Sequence, residues 1–225
     1  TGCDDDMTSV TVPSEIEGKP VTTIAERALS SKSKLLKVTL PDSVTTIESR
    51  AFNDCSHLRS VDMGNGVKTI GTFGFSGCNE LTSITLSENL TEIGESAFNQ
   101  CSALTELALP DSVVTIGNGV FASCSKLKQV TLPNGLTSIS ESMFSDCSAL
   151  TSVEIPDSVT SIEYRAFKSC SKLQQISLPD GLTTIGEGAF YSCSGLEQIT
   201  FPEGLTSMGA SAFYNCSGLV QVTLP

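Results

Sequence analysis

Moving 23 residues in either direction from Phe121 lands on Phe98 and Phe144, and continuing lands on Phe52, Phe75, Phe167, Phe190 and Phe213. The cysteines keep the same step at Cys55, Cys78, Cys101, Cys124, Cys147, Cys170, Cys193 and Cys216. The stretch from Leu104 to Cys124 is, with small changes, most of the chain. A repeat of 20 to 29 residues with leucines at short spacings marks a leucine-rich solenoid, in which each coil touches only its neighbours. The expected architecture is therefore one solenoid over residues 1–225, right-handed, with 23-residue coils. About ten short strands should form a parallel concave sheet, with short helical turns and extended segments on the other sides.

From Leu35 onward the repeat reads L-x-x-[VI]-x-L-P-x-x-[VL]-x-x-I-x-x-x-A-F-x-x-C-S. Leu107 and Leu109 are two apart, so both point to one side of a strand and Ala108 to the other. The same pair recurs from Val10/Val12 to Val222/Leu224 and gives the ten strands. Proline then ends the strand at Pro41, Pro110, Pro133, Pro156, Pro179 and Pro202. Pro179-Asp180-Gly181 fits proline at the second and glycine at the fourth position of a type I turn. Val113 to Ile116 is expected to form a second short strand or extended crossing. The next position is often glycine (Gly71, Gly94, Gly117, Gly186, Gly209) but is Glu48 and Glu163 in two coils, which argues against an obligatory positive φ there. Ala97, Phe98 and Cys101 would face inward together on a single helical turn, with successive phenylalanine rings within the range of offset stacking.

Residues 1–34 form an atypical first coil. Leu29 stands where phenylalanine is expected, Lys32 where cysteine is expected, and an insertion over residues 14–20 should bulge as a surface loop. Asp4-Asp5-Asp6 reads as a solvated turn rather than a calcium site, because adjacent carboxylates cannot all turn to one ion. Another coil breaks the pattern: Asp62 to Gly66 lacks the proline, and Gly74 replaces alanine beside an added Phe73. A shifted or widened coil is expected there, or an exposed aromatic contact. The chain starts without methionine and stops directly after a strand, so both ends are expected to be cuts through a longer protein.

With 13 basic against 25 acidic residues the formal charge is −12, which argues against nucleic acid and anionic lipid as partners. No run of 18 or more apolar residues is present to span a membrane. Eight cysteines in one ladder should sit at the ~4.8 Å step between strands, wider than a disulfide prefers, and so act as buried thiols. Cys3 lies outside this ladder. No C-x-x-C pair exists and His57 is the single histidine, so no metal and no cofactor are expected. His57 sits at a variable, exposed repeat position. Carboxylate pairs such as Glu95 near Asp111 are accounted for as solvated turn residues, and no catalytic residue is assigned.

The repeat, nearly complete in Leu150 to Cys170 and Leu173 to Cys193, resembles the BspA-like leucine-rich repeat family, also called the Treponema pallidum type. Gly18 to Ile24 resembles the opening coil of that family. The resemblance implies a secreted or surface-displayed bacterial protein, with adhesion to host matrix proteins such as fibronectin and fibrinogen, coaggregation or immune stimulation among its roles. The lack of an asparagine ladder separates the chain from ordinary leucine-rich repeats. The outward residues of the sheet are the candidate binding face: Lys37, Arg59, Asp62, Glu106, Lys128, Gln129, Glu154, Gln174, Gln175, Glu197, Gln198 and Gln221. Protein or glycoprotein is the expected ligand, and a passive stalk presenting another domain is the other reading.

Overall fold

The computed structural model describes residues 6–224; Cys3, Asp4, Asp5 and Pro225 lie outside the described residues. The chain winds into stacked coils of about 23 residues joined by parallel pairing at a constant register, as in Lys37 to Ser60 and Thr46 to Thr69. Each coil carries up to two short strands. The first, three residues long, holds the alternating apolar pattern: in Glu106–Ala108, Leu107 is buried while Glu106 and Ala108 are exposed. The second has two residues, as in Thr69–Ile70, with the isoleucine inward.

Eight of the ten expected first strands form. Ser9–Thr11, Lys37–Thr39, Ser60–Asp62 and Ser83–Thr85 make one sheet; Glu106–Ala108 pairs with Gln129–Thr131, and Gln198–Thr200 with Gln221–Thr223. Residues 152–154 and 175–177 pair with no strand. The expected single sheet is thus three pieces. The second ladder runs unbroken from Thr23–Ile24 to Thr115–Ile116 and again from Ser138–Ile139 to Ser207–Met208. Through Ser83 both ladders are closed. Beyond it, each junction between neighbouring coils keeps only one of the two. Parallel strands twist relative to one another, and two ladders on different sides of a twisting, curving stack cannot both hold hydrogen-bonding distance indefinitely. One side opens so that the other stays paired.

The core is a column of identical layers. Phe52, Phe75, Phe98, Phe121, Phe144, Phe167 and Phe190 are fully buried, and with Phe213 they stack at 5.0 to 5.9 Å between ring centroids, 3° to 14° from parallel. Leu29 fills the phenylalanine position of the first coil and is also buried. In the last coil the residues whose equivalents are covered elsewhere lie open, Leu224 at 72% and Val222 at 50% exposure.

No helix occurs among the described residues. The helical turn expected at Ala97 to Cys101 is replaced by an alternating arrangement. The amides of Ser96, Phe98 and Gln100 donate to Asn118, Val120 and Ala122 of the next coil at 2.8 to 3.0 Å, while those of Ala97, Asn99 and Cys101 donate to carbonyls three residues back. The alternation needs left-handed backbone at Ser96 (φ 53°) and Gln100 (φ 60°), a conformation repeated at the same two places around the stack. A helix would turn every amide along its own axis and leave the next coil's carbonyls unpaired. Here local turns and an intercoil ladder satisfy both sets, as buried backbone requires.

Three further expectations change. The proline turn closes as Val113 N to Pro110 O and Leu182 N to Pro179 O, so proline is its first residue, and the third is serine or glycine without positive φ. The first-coil insertion is a hairpin, Glu15–Ile16 antiparallel to Lys19–Pro20, with Glu17 (φ 52°) and Gly18 (φ 73°) supplying the two positive φ angles of a type I′ turn. The coil carrying Phe73 is neither shifted nor widened: Phe73 N bonds to Glu95 O and Phe75 N to Ala97 O in the regular register. Phe73 takes the left-handed position and lies half-buried under the Arg50 guanidinium, 5.0 Å from the ring centroid. The recurring glycines behave as expected, with no positive φ at Gly94 or Gly117. Their smallness serves close stacking, since a Cβ at Gly117 would lie 2.4 Å from Glu95 N.

Candidate functional site

All twelve residues of the proposed face are exposed, a direct result of strand alternation around the buried Val38, Val61, Leu107, Val130, Val153, Ile176 and Ile199. The breaks in the first ladder organise them. Where Gln175 and Gln198 fail to pair, a groove of about 810 Å³ opens, walled on its other side by Asp180 and Glu203. A second, of about 570 Å³, lies between Gln129 and Glu154 with Asp111, Asn134 and Asp157 beside it. A third, of about 420 Å³, joins Thr82, Ser83, Glu106 and Gln129. The structure therefore brings Glu106, Gln129, Glu154, Gln175 and Gln198 to grooves. Asp62 borders a smaller depression with Asp42, Asn65 and Glu88. Lys37, Arg59, Lys128, Gln174, Glu197 and Gln221 line none of these grooves.

The groove walls add residues that the repeat consensus hid, because they stand at the second position of the turn that follows each first strand, whether proline, Gly64 or Ser87 opens it: Asp42, Asn65, Glu88, Asp111, Asn134, Asp157, Asp180 and Glu203. Within this row, Asp42 accepts from Asn65 N at 2.7 Å, Asn65 Oδ1 from Glu88 N at 3.1 Å, and Asp111 from Asn134 N at 3.0 Å. Asp111 is thus engaged by Asn134, not by Glu95. The signal was present in the sequence as a mostly acidic column, although it reads there as turn chemistry alone.

Among the basic members of the face, Arg59 donates to Glu80 at 2.9 Å. His57 lies 3.8 Å from the same carboxylate, and its Nδ1 is 3.2 Å from Ser56 Oγ. This trio is not a catalytic triad. The His57–Glu80 separation exceeds a hydrogen bond, His57 is 52% exposed, and it lines none of the grooves described above. Asp6 pairs with Lys34, and the described residues contain no cluster of His, Cys, Asp and Glu able to hold a metal ion.

The eight thiols of the ladder are free. Each Sγ donates to a carbonyl one coil back at 3.0 to 3.4 Å. Burial is the first cause that pushes their pKa up, to about 11 at Cys55 and about 12 at Cys124 and Cys193, because a thiolate would lose its solvation there. Such thiols are poor nucleophiles and poor ligands at neutral pH. They belong to the core.

Parallel coils of constant length, a phenylalanine and thiol ladder inside, and a polar strand face outside define a leucine-rich repeat solenoid. No helix is long and apolar enough to cross a membrane among the described residues. The profile of the BspA type leucine-rich repeat region matches in six copies over residues 22–150 and 114–225, and the chain belongs to that family. A leucine-rich repeat protein from Bacteroides ovatus is similar in structure, with a TM-score of 0.82 at 28% identity, covering 96% of this chain and 69% of that one. The Treponema pallidum leucine-rich repeat protein TpLRR gives 0.61 at 29% identity, covering 96% and 79%. The pneumococcal vaccine antigen PcpA shares the fold, with a TM-score of 0.55 at 22% identity, over 98% of this chain and 72% of that one. Comparison with curated protein sequences returns no match.

Proposed function

We propose that this chain is a non-enzymatic, extracellular protein-binding module of a bacterial cell-surface protein, serving adhesion through its exposed strand face. The observation that carries the reading is the coincidence of grooves with the outward strand residues. Glu106, Gln129, Glu154, Gln175 and Gln198 border spaces that open where the first ladder parts, and an acidic turn row walls the two largest. Amide and carboxylate side chains there offer donors and acceptors to an extended segment, and the acidic wall favours a basic one. Membership of a family of bacterial surface repeats supports the location. The face has no aromatic or aliphatic anchor among its twelve residues, so affinity would arise from many weak contacts and multivalent display.

Surface-plasmon binding to a panel of immobilised host matrix proteins, fibronectin and fibrinogen among them, tests this. The comparison is a variant with Arg59, Glu106, Lys128, Glu154 and Gln175 changed to alanine. Saturable binding that the variant loses supports adhesion through the strand face. Absence of binding by the parent chain rejects it in favour of a spacer that presents another domain.

A further inference from the structure

Beyond Ser83 the side on which the stack opens is not constant. Between the coils of Phe98 and Phe121 the first strands are unpaired, and between those of Phe121 and Phe144 the second strands are. The coil of Phe121 is thus tied to its predecessor through Thr115–Ile116 and to its successor through Glu106–Ala108. After it the first strands part again. The phenylalanine column follows this switch, with its widest ring spacings, 5.9 and 5.7 Å, at the same two junctions. On the first-strand side the amide of Leu86 bonds to no carbonyl, where those of Leu40 and Leu109 donate to Asp62 and Thr131. On the second-strand side the amides of Thr137 and Ser140 are likewise without a carbonyl, whereas their equivalents Thr160 and Glu163 reach the preceding coil at 2.9 Å. In their place the Ser140 hydroxyl spans the break, donating to Gly117 O at 2.8 Å.

Residue size accounts for the second-strand break. The residue before each phenylalanine of the column is alanine or glycine from Ala28 to Ala212, except at Val120 and Met143. That position looks onto the isoleucine of its own coil's second strand, since a Cβ added at Gly74 would lie 2.8 Å from Ile70 Cγ2. Val120 and Met143 are both fully buried, so their extra bulk presses Ile116 and Ile139 outward. Among the described residues Ile116 is accordingly the one isoleucine of the second strands that is only partly buried. The break falls between the two coils that carry the larger residues. We propose that the coil of Phe121 is a joint at which the solenoid flexes, held open by Val120 and Met143. The halves on either side pivot about the turn edge, where the amides of Gly119, Phe121 and Ser123 keep their bonds to Glu141, Met143 and Ser145 at 2.7 to 3.0 Å. A hinge needs one line of contact that persists and slack beside it. Slack here lies on different sides of a single coil, so the stack bends either way without breaking a backbone hydrogen bond. The grooves of Glu106 and Glu154 border the joint, and flexion changes their width together with the curvature of the strand face. The inference concerns the scaffold and is independent of adhesion through that face.

Spin-label distances and amide-resolved hydrogen exchange test it. Labels carried on genetically encoded, non-cysteine residues at the exposed positions of Lys37 and Gln198, one in each half, should give a distance distribution at least twice as broad as the labels themselves impose. That intrinsic width is measured between Lys37 and Glu92, both in the first half. The double variant Val120→Ala, Met143→Ala restores the small residue in both coils. Its second strands should close, slowing exchange at Thr137 and Ser140 roughly tenfold or more and narrowing the distribution across the joint. If the two side chains only fill the core, the same change leaves a cavity and exchange there is faster or unchanged, which overturns the inference. A parent distribution confined to the intrinsic width of the labels overturns it as well, and this measurement requires no variant to fold.

Discussion

The thiol of Cys124 donates to the backbone carbonyl of Phe98, 3.1 Å away in the preceding coil. That carbonyl also accepts the amide of Cys101 at 3.2 Å, so its two lone pairs are taken by two successive coils. The same geometry recurs from Cys55 on Leu29 to Cys216 on Phe190. The cysteine ladder is therefore a chain of intercoil hydrogen bonds made by a small side chain that is also content in an apolar core. Cys124→Ala removes the donor and leaves a small void, and should cost about 1 to 2 kcal/mol in urea unfolding. A loss under a few tenths would show that the sulfur merely fills space.

Phe121 is fully buried between Phe98 and Phe144, with centroids at 5.9 and 5.7 Å. Truncation to alanine interrupts the column at its middle, where neither neighbour can collapse into the space without leaving its own layer. Phe121→Ala should lower unfolding free energy by about 3 to 5 kcal/mol. A measured loss below about 1 kcal/mol would contradict the inward column.

The column was legible because identity at a fixed step leaves few alternatives: Phe52 through Phe213 had to stack once the period was 23. The strand face was legible for the same reason, as alternation at Leu107 and Leu109 decides which neighbours look outward. What the sequence did not disclose was how Ala97 to Cys101 is built. Three- and four-residue spacing fits a helical turn and an alternating chain of turns equally well, and the deciding quantity, positive φ at the positions of Ser96 and Gln100, is carried mostly by serine, arginine, aspartate and amide residues, with glycine only at Gly77, Gly119 and Gly188. The grooves were also hidden. They depend on where a twisting stack opens one ladder, a property accumulated over many coils rather than written in any one of them.

The left-handed positions give a test in both directions. Ser123 has φ 61° and its side chain is only partly covered. Ser123→Gly relieves the steric cost of αL backbone, about 1 to 2 kcal/mol for residues with a Cβ, against the extra chain entropy glycine loses on folding, about 0.5 to 1 kcal/mol. The net result should be neutral to stabilising by up to ~1 kcal/mol, and Ser123→Val clearly destabilising. Gly66 is the opposite case, since a Cβ there would lie 1.9 Å from Asp42 O. Gly66→Ala must push two coils apart and should cost at least ~2 kcal/mol. Thermal melts of the three variants would check the order, and a tolerated Gly66→Ala would contradict the close stacking at the proline-free turn.

The thiol ladder also makes the fold sensitive to alkali. From an ordinary value of 9.0, burial raises Cys55 to about 11 and Cys124 and Cys193 to about 12, and it raises Cys78, Cys101, Cys147 and Cys170 as well. Above pH 9 the unfolded chain releases these protons while the folded chain keeps them, so the folded state binds more protons and stability falls as pH rises. Each thiol contributes about 1.4 kcal/mol per pH unit across the window between its unfolded and folded values. Seven well-buried thiols together give a slope on the order of 10 kcal/mol per unit, comparable with the whole stability of a typical domain. Melting temperature should be nearly flat from pH 7 to 8.5 as far as the thiols are concerned, then fall with growing steepness as pH rises past 9. Replacing Cys101, Cys124 and Cys147 by alanine should lower stability at pH 7 yet shallow this decline by nearly half. A transition whose alkaline slope is unchanged by the triple substitution would assign the loss to other groups.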